Sequence, residues 1–555
     1  MRLHQLKPTN PTRLNRILPR KTSLSPKKRN YNTHLPETQH RALDRLVNDL
    51  SAHLPHFRSP GKSIKVLKEP SHFYLELLNL IGRAQKRIFI ASLYFGKEET
   101  NLIKALGNAL ESSKDLKLTI LVDYLRSTRE YARRQECSAS LLRTLKARFP
   151  NQVDIRLFHT SELCGILKQI VPRRFDEGFG LQHMKIYGAD RDIIMSGANL
   201  SSDYFTNRQD RYVKLSEQDE LSEYLSELIE LTSSISYRLE ADELAEDGRP
   251  DGLRIVWPET NASRPPIDSR RASREFKKIA HQMYSGFTDR WRQKLLLIAQ
   301  STEQADHTQP HVSIFPTLQM SPFKIRHETA LMIPKLIDFV DQLSSTPEHH
   351  SLVHEKTVLN WTSGYFSLLR EYKSQMLSSN AHVEIITASP QANGFYQSNG
   401  VSKYIPSAYS YLENLFRNEV RKSAKQNQII IRQWNRAGWT YHAKGLWINR
   451  FVRNVSREGE EERCLVTSIG SSNFGRRSAE RDLECNLFIM LDRDLPRAIP
   501  GQPEDDKSKP EDGSLSSQLV DELSLLKGHV QPNDQKEAHV GIFVKFFTRL
   551  IRNML

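Results

Sequence analysis

Cysteine is scarce: four residues in 555 (Cys137, Cys164, Cys464 and Cys485), with no CxxC spacing, exclude a disulfide-stapled scaffold and a cysteine zinc centre. No apolar run approaches the roughly 18 residues that a spanning helix needs, so the chain does not read as an integral membrane protein. Acidic residues are absent from the first 36 positions, and no apolar stretch follows the opening charges to make a secretory signal. A GxxxxGK[ST] loop, an HExxH pair and the common nucleic-acid-binding motifs are missing as well. What remains is globular: 38% hydrophobic and 26% charged residues, in a chain long enough for two folded units. Eighty Lys and Arg against 65 Asp and Glu give a net charge of +15, which favours an anionic partner: nucleic acid, a phosphorylated small molecule or a membrane surface.

Nine basic residues (Arg2, Lys7, Arg13, Arg16, Arg20, Lys21, Lys27, Lys28 and Arg29) stand before the first acid, Glu37. A short amphipathic turn sets Leu14, Ile17 and Leu18 against Arg13, Arg16 and Arg20. This composition predicts a mitochondrial presequence over residues 1–36, with processing near Arg29-Asn30-Tyr31. Its removal would lower the net charge from +15 to about +6, so much of the surplus is an address.

The remainder repeats itself. Ser92-Leu93-Tyr94-Phe95 recurs as Ser363-Gly364-Tyr365-Phe366, and the apolar runs 116–123 and 383–388 follow as the next strands. Then come His183-Met184-Lys185 and His442-Ala443-Lys444, each near the start of an apolar strand. Ser196-Gly197-Ala198-Asn199 and Gly470-Ser471-Ser472-Asn473 lie downstream, and 11 residues beyond each Asn stands an acid, Asp210 or Glu484. His183 to Asn199 is 16 residues whereas His442 to Asn473 is 31; the polar stretch 449–463 accounts for the excess and reads as an inserted hairpin tip or loop. Strands alternating with helices in both copies predict two α/β units with mixed sheets flanked by helices, sharing a pseudo-two-fold site.

The chemistry follows from the pairs. A lone His-x-Lys is usually a histidine beside a solvated lysine; two copies in one register argue for a site. In an extended segment His183 and Lys185 share a face, as do His442 and Lys444. Two imidazoles flanking one phosphorus can divide the work of attack and leaving-group protonation. Two lysines, with Asn199 and Asn473, would neutralise the non-bridging oxygens, so this chemistry calls for no metal.

His183-x-Lys185-x4-Asp190 followed by Gly197-x-Asn199, with its second copy, resembles the phospholipase D superfamily. Gln182 to Lys185, Ser196 to Ser201, Tyr204 to Val213 and His442 to Trp447 further resemble its mitochondrial phosphatidyltransferases that consume CDP-diacylglycerol. The resemblance spans residues 57–491 and implies exchange of CMP for glycerol 3-phosphate on a phosphatidyl group, toward phosphatidylglycerol and cardiolipin. It implies His183 as nucleophile, forming a phosphatidyl-histidine, and His442 as acid and then base. Lys185, Lys444, Asn199 and Asn473 would hold the phosphate with Ser471 beside them, Asp210 and Glu484 would orient the imidazoles, and Asp190 would complete the first motif. The second motif departs from the pattern, with Asn449 where an acid is expected. No cofactor is implied, and a divalent cation assisting substrate binding stays open.

The expected organisation is a presequence over 1–36, a first unit over 57–240, a linker with connecting helices over 241–310, a second unit over 311–495, a low-complexity linker over 496–537 and a tail over 538–555. In the tail Val540, Phe543, Phe547, Leu550, Ile551 and Met554 recur at helical spacing beside Lys545, Arg549 and Arg552. This predicts a basic amphipathic helix on an anionic membrane surface, or else a cap on the core. Expected partners are CDP-diacylglycerol, glycerol 3-phosphate and that membrane, with no nucleic acid, at the matrix side of the mitochondrial inner membrane. The competing readings are a phosphodiesterase or nuclease of the same superfamily and a non-catalytic lipid-binding protein.

Overall fold

The strand Arg87–Ala91 sends Ile88 and Ile90 into one core and Phe89 and Ala91 into another, which is why its sequence is continuously apolar rather than alternating. The computed structural model describes residues 37–130, 136–172, 175–240, 253–302, 311–345, 353–454, 460–491, 513–531 and 540–552. The expected presequence, with its processing region, lies outside them.

Two nine-stranded mixed sheets organise the chain. The first contains, in spatial order, Val153–Phe158, Lys117–Asp123, Arg87–Ala91, Ile186–Ala189, Asp192–Ser196, Tyr212–Leu215 and Ile64–Leu67. The second repeats this with Ile429–Trp434, His382–Ala388, Val353–Ser363, Lys444–Asn454, Glu460–Gly470, Glu484–Met490 and Val312–Met320. In each the first three strands run parallel and the others antiparallel. The duplication read from the motifs therefore extends to seven strands in the same order and direction.

Helices pack on both faces of each sheet. Helix Pro70–Arg83 starts with proline in its first turn and buries Phe73, Leu77, Leu80 and Ile81, an i, i+4, i+7, i+8 stripe, on the outer face of the first sheet. Helices Ile333–Ser345, Arg370–Ser378 and Ile405–Lys422 cover the outer face of the second. Between the sheets lies one shared core, which takes Tyr224 and Leu228 from helix Asp219–Ser233 and Tyr284 and Trp291 from helix Arg270–Thr302.

Four stretches differ from expectation. The stretch 496–537, expected as a linker, contains helix Leu515–Lys527, which buries Leu515, Leu519, Leu523 and Leu526 in the shared core. Its low hydrophobicity hides this because Glu522 is buried too, bonded to Arg211. Within the expected linker 241–310, Arg254–Val256 adds an edge strand to Tyr237–Glu240. The stretch 449–463 is a lengthened ribbon, because Lys444–Asn454 and Glu460–Gly470 carry their pairing through most of it. Near the start of the expected first unit, Phe57–Ser59 instead pairs with Val312–Met320 of the second sheet.

The tail forms helix Ile542–Ile551, with Val544 and Thr548 facing inward and helix Ile405–Lys422 beneath it. Ile542, Phe543, Phe546 and Leu550 remain exposed. No described helix is long and apolar enough to cross a membrane.

Candidate active site

Each His-x-Lys motif runs directly into a central strand, Ile186–Ala189 or Lys444–Asn454, and the backbone ahead of it is held by the opposite half. Gln182 bridges to Leu483, and Thr440–Tyr441 pairs in parallel with Arg208–Gln209. The His183 amide donates to Leu483 O at 2.9 Å and the His442 amide to Gln209 O at 2.8 Å. Glu484 follows Leu483 and Asp210 follows Gln209, so these short ladders deliver each acid to the other half's histidine. His183 Nδ1 lies 2.9 Å from Glu484 Oε1, and His442 Nδ1 lies 2.6 Å from Asp210 Oδ2. A carboxylate at Nδ1 keeps the proton there and leaves the Nε2 lone pair for chemistry. The sequence left open which acid serves which histidine; the pairing is crosswise.

The other expected residues gather around this frame. Lys185 Nζ donates to His183 O at 2.6 Å, and Lys444 Nζ to Gly197 O at 3.2 Å. Gly197 admits no side chain, since a Cβ would lie 2.5 Å from Asp210 Oδ1 and 2.9 Å from Lys444 Nζ. The Ser471 hydroxyl donates to Glu484 Oε2, steadying the acid that holds His183. Asn199 Nδ2 donates to the Tyr204 hydroxyl at 3.0 Å. The Oδ1 atoms of Asn199 and Asn473 are buried without a hydrogen-bond partner among the described residues. A phosphoryl oxygen only accepts, so it would be served by the Nδ2 groups of these carboxamides, while the buried Oδ1 atoms await a donor.

Burial dominates the electrostatics. It holds both imidazoles well below their usual pKa; at His183 the Lys185 charge adds to the push while Asp482 opposes it, and at His442 the charges of Lys444 and Arg208 add to it. Burial also lowers Lys185 to about 7 against the pull of Glu484, and raises Glu484 to about 7 and Asp210 to about 6 against the nearby lysines. These groups are buried beside one another, so an arriving phosphate is met by strong fields.

Asp190, expected among the catalytic residues, is not brought to this cluster. It occupies the turn between Ile186–Ala189 and Asp192–Ser196 at φ 50°, and its carboxylate accepts the amides of Gln85, Lys86 and Arg87 at 2.8, 2.8 and 3.0 Å. Its work is to tie that turn to the end of helix Pro70–Arg83. The missing acid of the second motif then has a structural reason. At Asn449 the chain is still mid-strand in the longer ribbon, buried and donating to Glu462, so there is no turn to secure.

Sequence reasoning missed several neighbours. The Tyr204 hydroxyl lies 3.3 Å from His442 Nε2, and the Tyr365 ring meets His442 edge-on at 5.6 Å. Asp482 accepts the Leu181 amide at 2.9 Å and pairs with Arg477 at 3.2 Å. Glu328 bonds Ser472 at 3.1 Å and Asn486 at 2.6 Å behind the Asn473 turn, and burial pushes it up to about 8. Tyr204, Arg477 and Asp482 fall within the 11 residues between each Asn and its acid, a signal available in the sequence; Glu328 had none. His183, Asp482 and Glu484 also offer ligand atoms within 4.8 Å of one another, enough to hold a cation, though Arg477 and Ser471 already bond the two carboxylates.

Residues 77–231 match the family described as cardiolipin synthase, PLD-like domain. Over 522 residues the chain is 37% identical to a CDP-diacylglycerol–glycerol-3-phosphate 3-phosphatidyltransferase of Saccharomyces pastorianus, covering 90% of this chain and 89% of that one. The mitochondrial protein of the same name from Homo sapiens is 33% identical over 520 residues, covering 90% of this chain and 84% of that one. The crystal structure of a phosphatidylserine synthase from Haemophilus influenzae Rd KW20 aligns with a TM-score of 0.59 over 92% of this chain and 99% of that one; at 18% identity this likeness bears on fold alone.

Proposed function

This chain belongs to the CDP-diacylglycerol–glycerol-3-phosphate 3-phosphatidyltransferase family, and we infer that it carries the phosphatidyl group in two steps through one of its paired histidines. It is an enzyme that transfers the phosphatidyl group of CDP-diacylglycerol to glycerol 3-phosphate, giving phosphatidylglycerophosphate and CMP.

In the first step the His183 Nε2 lone pair attacks the phosphatidyl phosphorus. The bond from phosphorus to the CMP oxygen breaks, and His442, having taken up a solvent proton at Nε2 as the diphosphate binds, gives that proton to the leaving oxygen. The negative diphosphate offsets the push that keeps His442 neutral in the free site. In the second step the glycerol 3-phosphate hydroxyl loses its proton to His442 and attacks; the P–N bond breaks and returns neutral His183. Lys185 and Lys444 offset the charge on the non-bridging oxygens in both steps, and the Nδ2 groups of Asn199 and Asn473 donate to them, work that needs no resident metal. The observation that carries this reading is the crosswise pairing of Glu484 with His183 and Asp210 with His442, which leaves two oriented Nε2 atoms for one phosphorus. Tyr204 beside His442 Nε2 supports placing the leaving and entering oxygens on that flank.

The mitochondrial names of several relatives and the acid-free, arginine-rich start support a mitochondrial location; the matrix face of the inner membrane is our proposal. The exposed Ile542, Phe543, Phe546 and Leu550, with Lys545 and Arg549 on the same helix, suit an anionic bilayer. The reading assigns nucleic acid no part. The deciding assay supplies CDP-diacylglycerol with and without glycerol 3-phosphate and follows CMP and lipid product. Acceptor-dependent phosphatidylglycerophosphate is expected; CMP release indifferent to the acceptor would mean a hydrolase.

A further inference from the structure

Aligned on Asn199 and Asn473, the halves set Asp203 against Arg477, Arg208 against Asp482, and Asp210 against Glu484. The last position keeps its charge, while the first two exchange theirs. Each half still makes the ion pair, Arg208 to Asp203 at 2.8 Å and Arg477 to Asp482 at 3.2 Å, so the inversion preserves the bond but reverses what each histidine meets. On the His442 flank it is a cation: the Arg208 guanidinium lies 4.6 Å over the Tyr204 ring, whose hydroxyl is 3.3 Å from His442 Nε2. On the His183 flank it is the buried carboxylate of Asp482, grouped with His183 and Glu484 within 4.8 Å.

We propose that Arg208 holds the phosphate of glycerol 3-phosphate, and that this subsite makes the enzyme choose a phosphorylated alcohol as acceptor. The proposal rests on the reading that the acceptor hydroxyl meets His442. The phosphate of that molecule sits three carbons from the reacting hydroxyl, and one tyrosine ring separates Arg208 from His442. Its guanidinium is steadied by Thr440, which accepts from Nε at 3.1 Å. Its present partner Asp203 is 40% exposed and can turn to water when a phosphate arrives, whereas Asp482 is 2% exposed and cannot. The corner is kept open by Gly394, where a Cβ would come within 3.4 Å of Arg208 Nη2 and 3.3 Å of the Tyr365 hydroxyl. On the opposite flank Arg477 is engaged by Asp482, which is too buried to swing aside, so a phosphate there would meet the Asp482 and Glu484 carboxylates with that guanidinium already taken, and the acceptor has one favourable orientation.

The test compares wild type, Arg208→Gln and Arg208→Lys with glycerol 3-phosphate and with glycerol as acceptors. The acceptor-free exchange of labelled CMP into CDP-diacylglycerol serves as the measure of an intact site. Loss of one charged hydrogen-bonding partner predicts a KM for glycerol 3-phosphate about 30-fold higher in Arg208→Gln, with Arg208→Lys in between. Because the Arg208 charge also bears on His442, transfer to glycerol and CMP exchange should fall too, equally with each other, but by at least about 10-fold less than kcat/KM for glycerol 3-phosphate, the excess being the lost hold on the acceptor phosphate. An unchanged KM, or an equal fall with both acceptors and in exchange, would overturn the subsite. A wild-type enzyme that makes no phosphatidylglycerophosphate would instead overturn the parent reading along with it.

Discussion

The two halves present the same histidine, lysine and asparagine from equivalent strands, yet just outside that ring they part company. Where Ser472 and Asn486 bond a buried Glu328, their counterparts are Ala198 and Tyr212, and Tyr212 stacks on Phe73 with ring centres 4.8 Å apart. Tyr204 beside His442 has Ser478 as its counterpart. The first hairpin turns tightly at Asp190, while the second continues as a long ribbon past Asn449. What has stayed equal is what must meet at one phosphorus. The crosswise acids explain this constraint, because each half is incomplete until the other supplies its carboxylate. The surrounding layer is free to diverge, and its divergence gives two like imidazoles unlike surroundings.

The strongest way to break that likeness is to remove one imidazole at a time. His183→Ala and His442→Ala should each lower turnover by at least about 10⁴-fold, the scale seen when a nucleophile or its partner base is lost. They should differ in what accumulates. With labelled CDP-diacylglycerol, His442→Ala should retain phosphatidyl on the protein and His183→Ala should retain none; the opposite pattern would reverse the two roles.

Exchanging the acids for amides sharpens the comparison. Glu484→Gln and Asp210→Asn should each cost on the order of 10²- to 10⁴-fold in kcat, since an amide does not hold the imidazole tautomer. In wild type, kcat/KM should fall below about pH 7 as Glu484 takes up a proton, and again above about 7 as Lys185 loses one. Glu484→Gln should move the acidic limb down toward about 6, where Asp210 titrates, whereas Asp210→Asn should leave it near 7. Identical limbs in the two variants would mean that neither acid sets the profile.

The duplication and all the residues of the inner ring were legible because both copies carry them in one order and register. What escaped was carried by burial rather than by motif. Helix Leu515–Lys527 looked like linker because its stretch is polar overall, yet Glu522 accepts from Arg211 Nε and Nη2 at 2.9 and 2.8 Å and from Trp447 Nε1 at 3.0 Å. This joins both halves to helix Leu515–Lys527 through one buried ion pair, with Arg211 stacked 3.8 Å over Trp447. Removing one partner strands the other charge. Glu522→Ala should therefore cost about 3–5 kcal/mol, measured by denaturant unfolding, even though Glu522 is no part of the phosphate site.

The smallest expected effects separate motif from mechanism. If the acid of the first motif served the chemistry, Asn449→Asp would complete the second motif and raise activity. The fold argues otherwise: Asn449 is buried against Glu462, so a carboxylate there meets a like charge in a dry strand and should lower stability with no gain in turnover. Asp190 sits at the other extreme, on a turn near the surface, bonded to three amides of residues 85–87. Asp190→Ala strands those amides, but water can reach part of them, so the cost should be about 1–2 kcal/mol in unfolding experiments. Turnover per folded molecule should remain near wild type and the pH limbs should not move. A drop in kcat with unchanged stability would put Asp190 back into the chemistry, because a turn that only secures the strand behind Lys185 can act on rate only by loosening it.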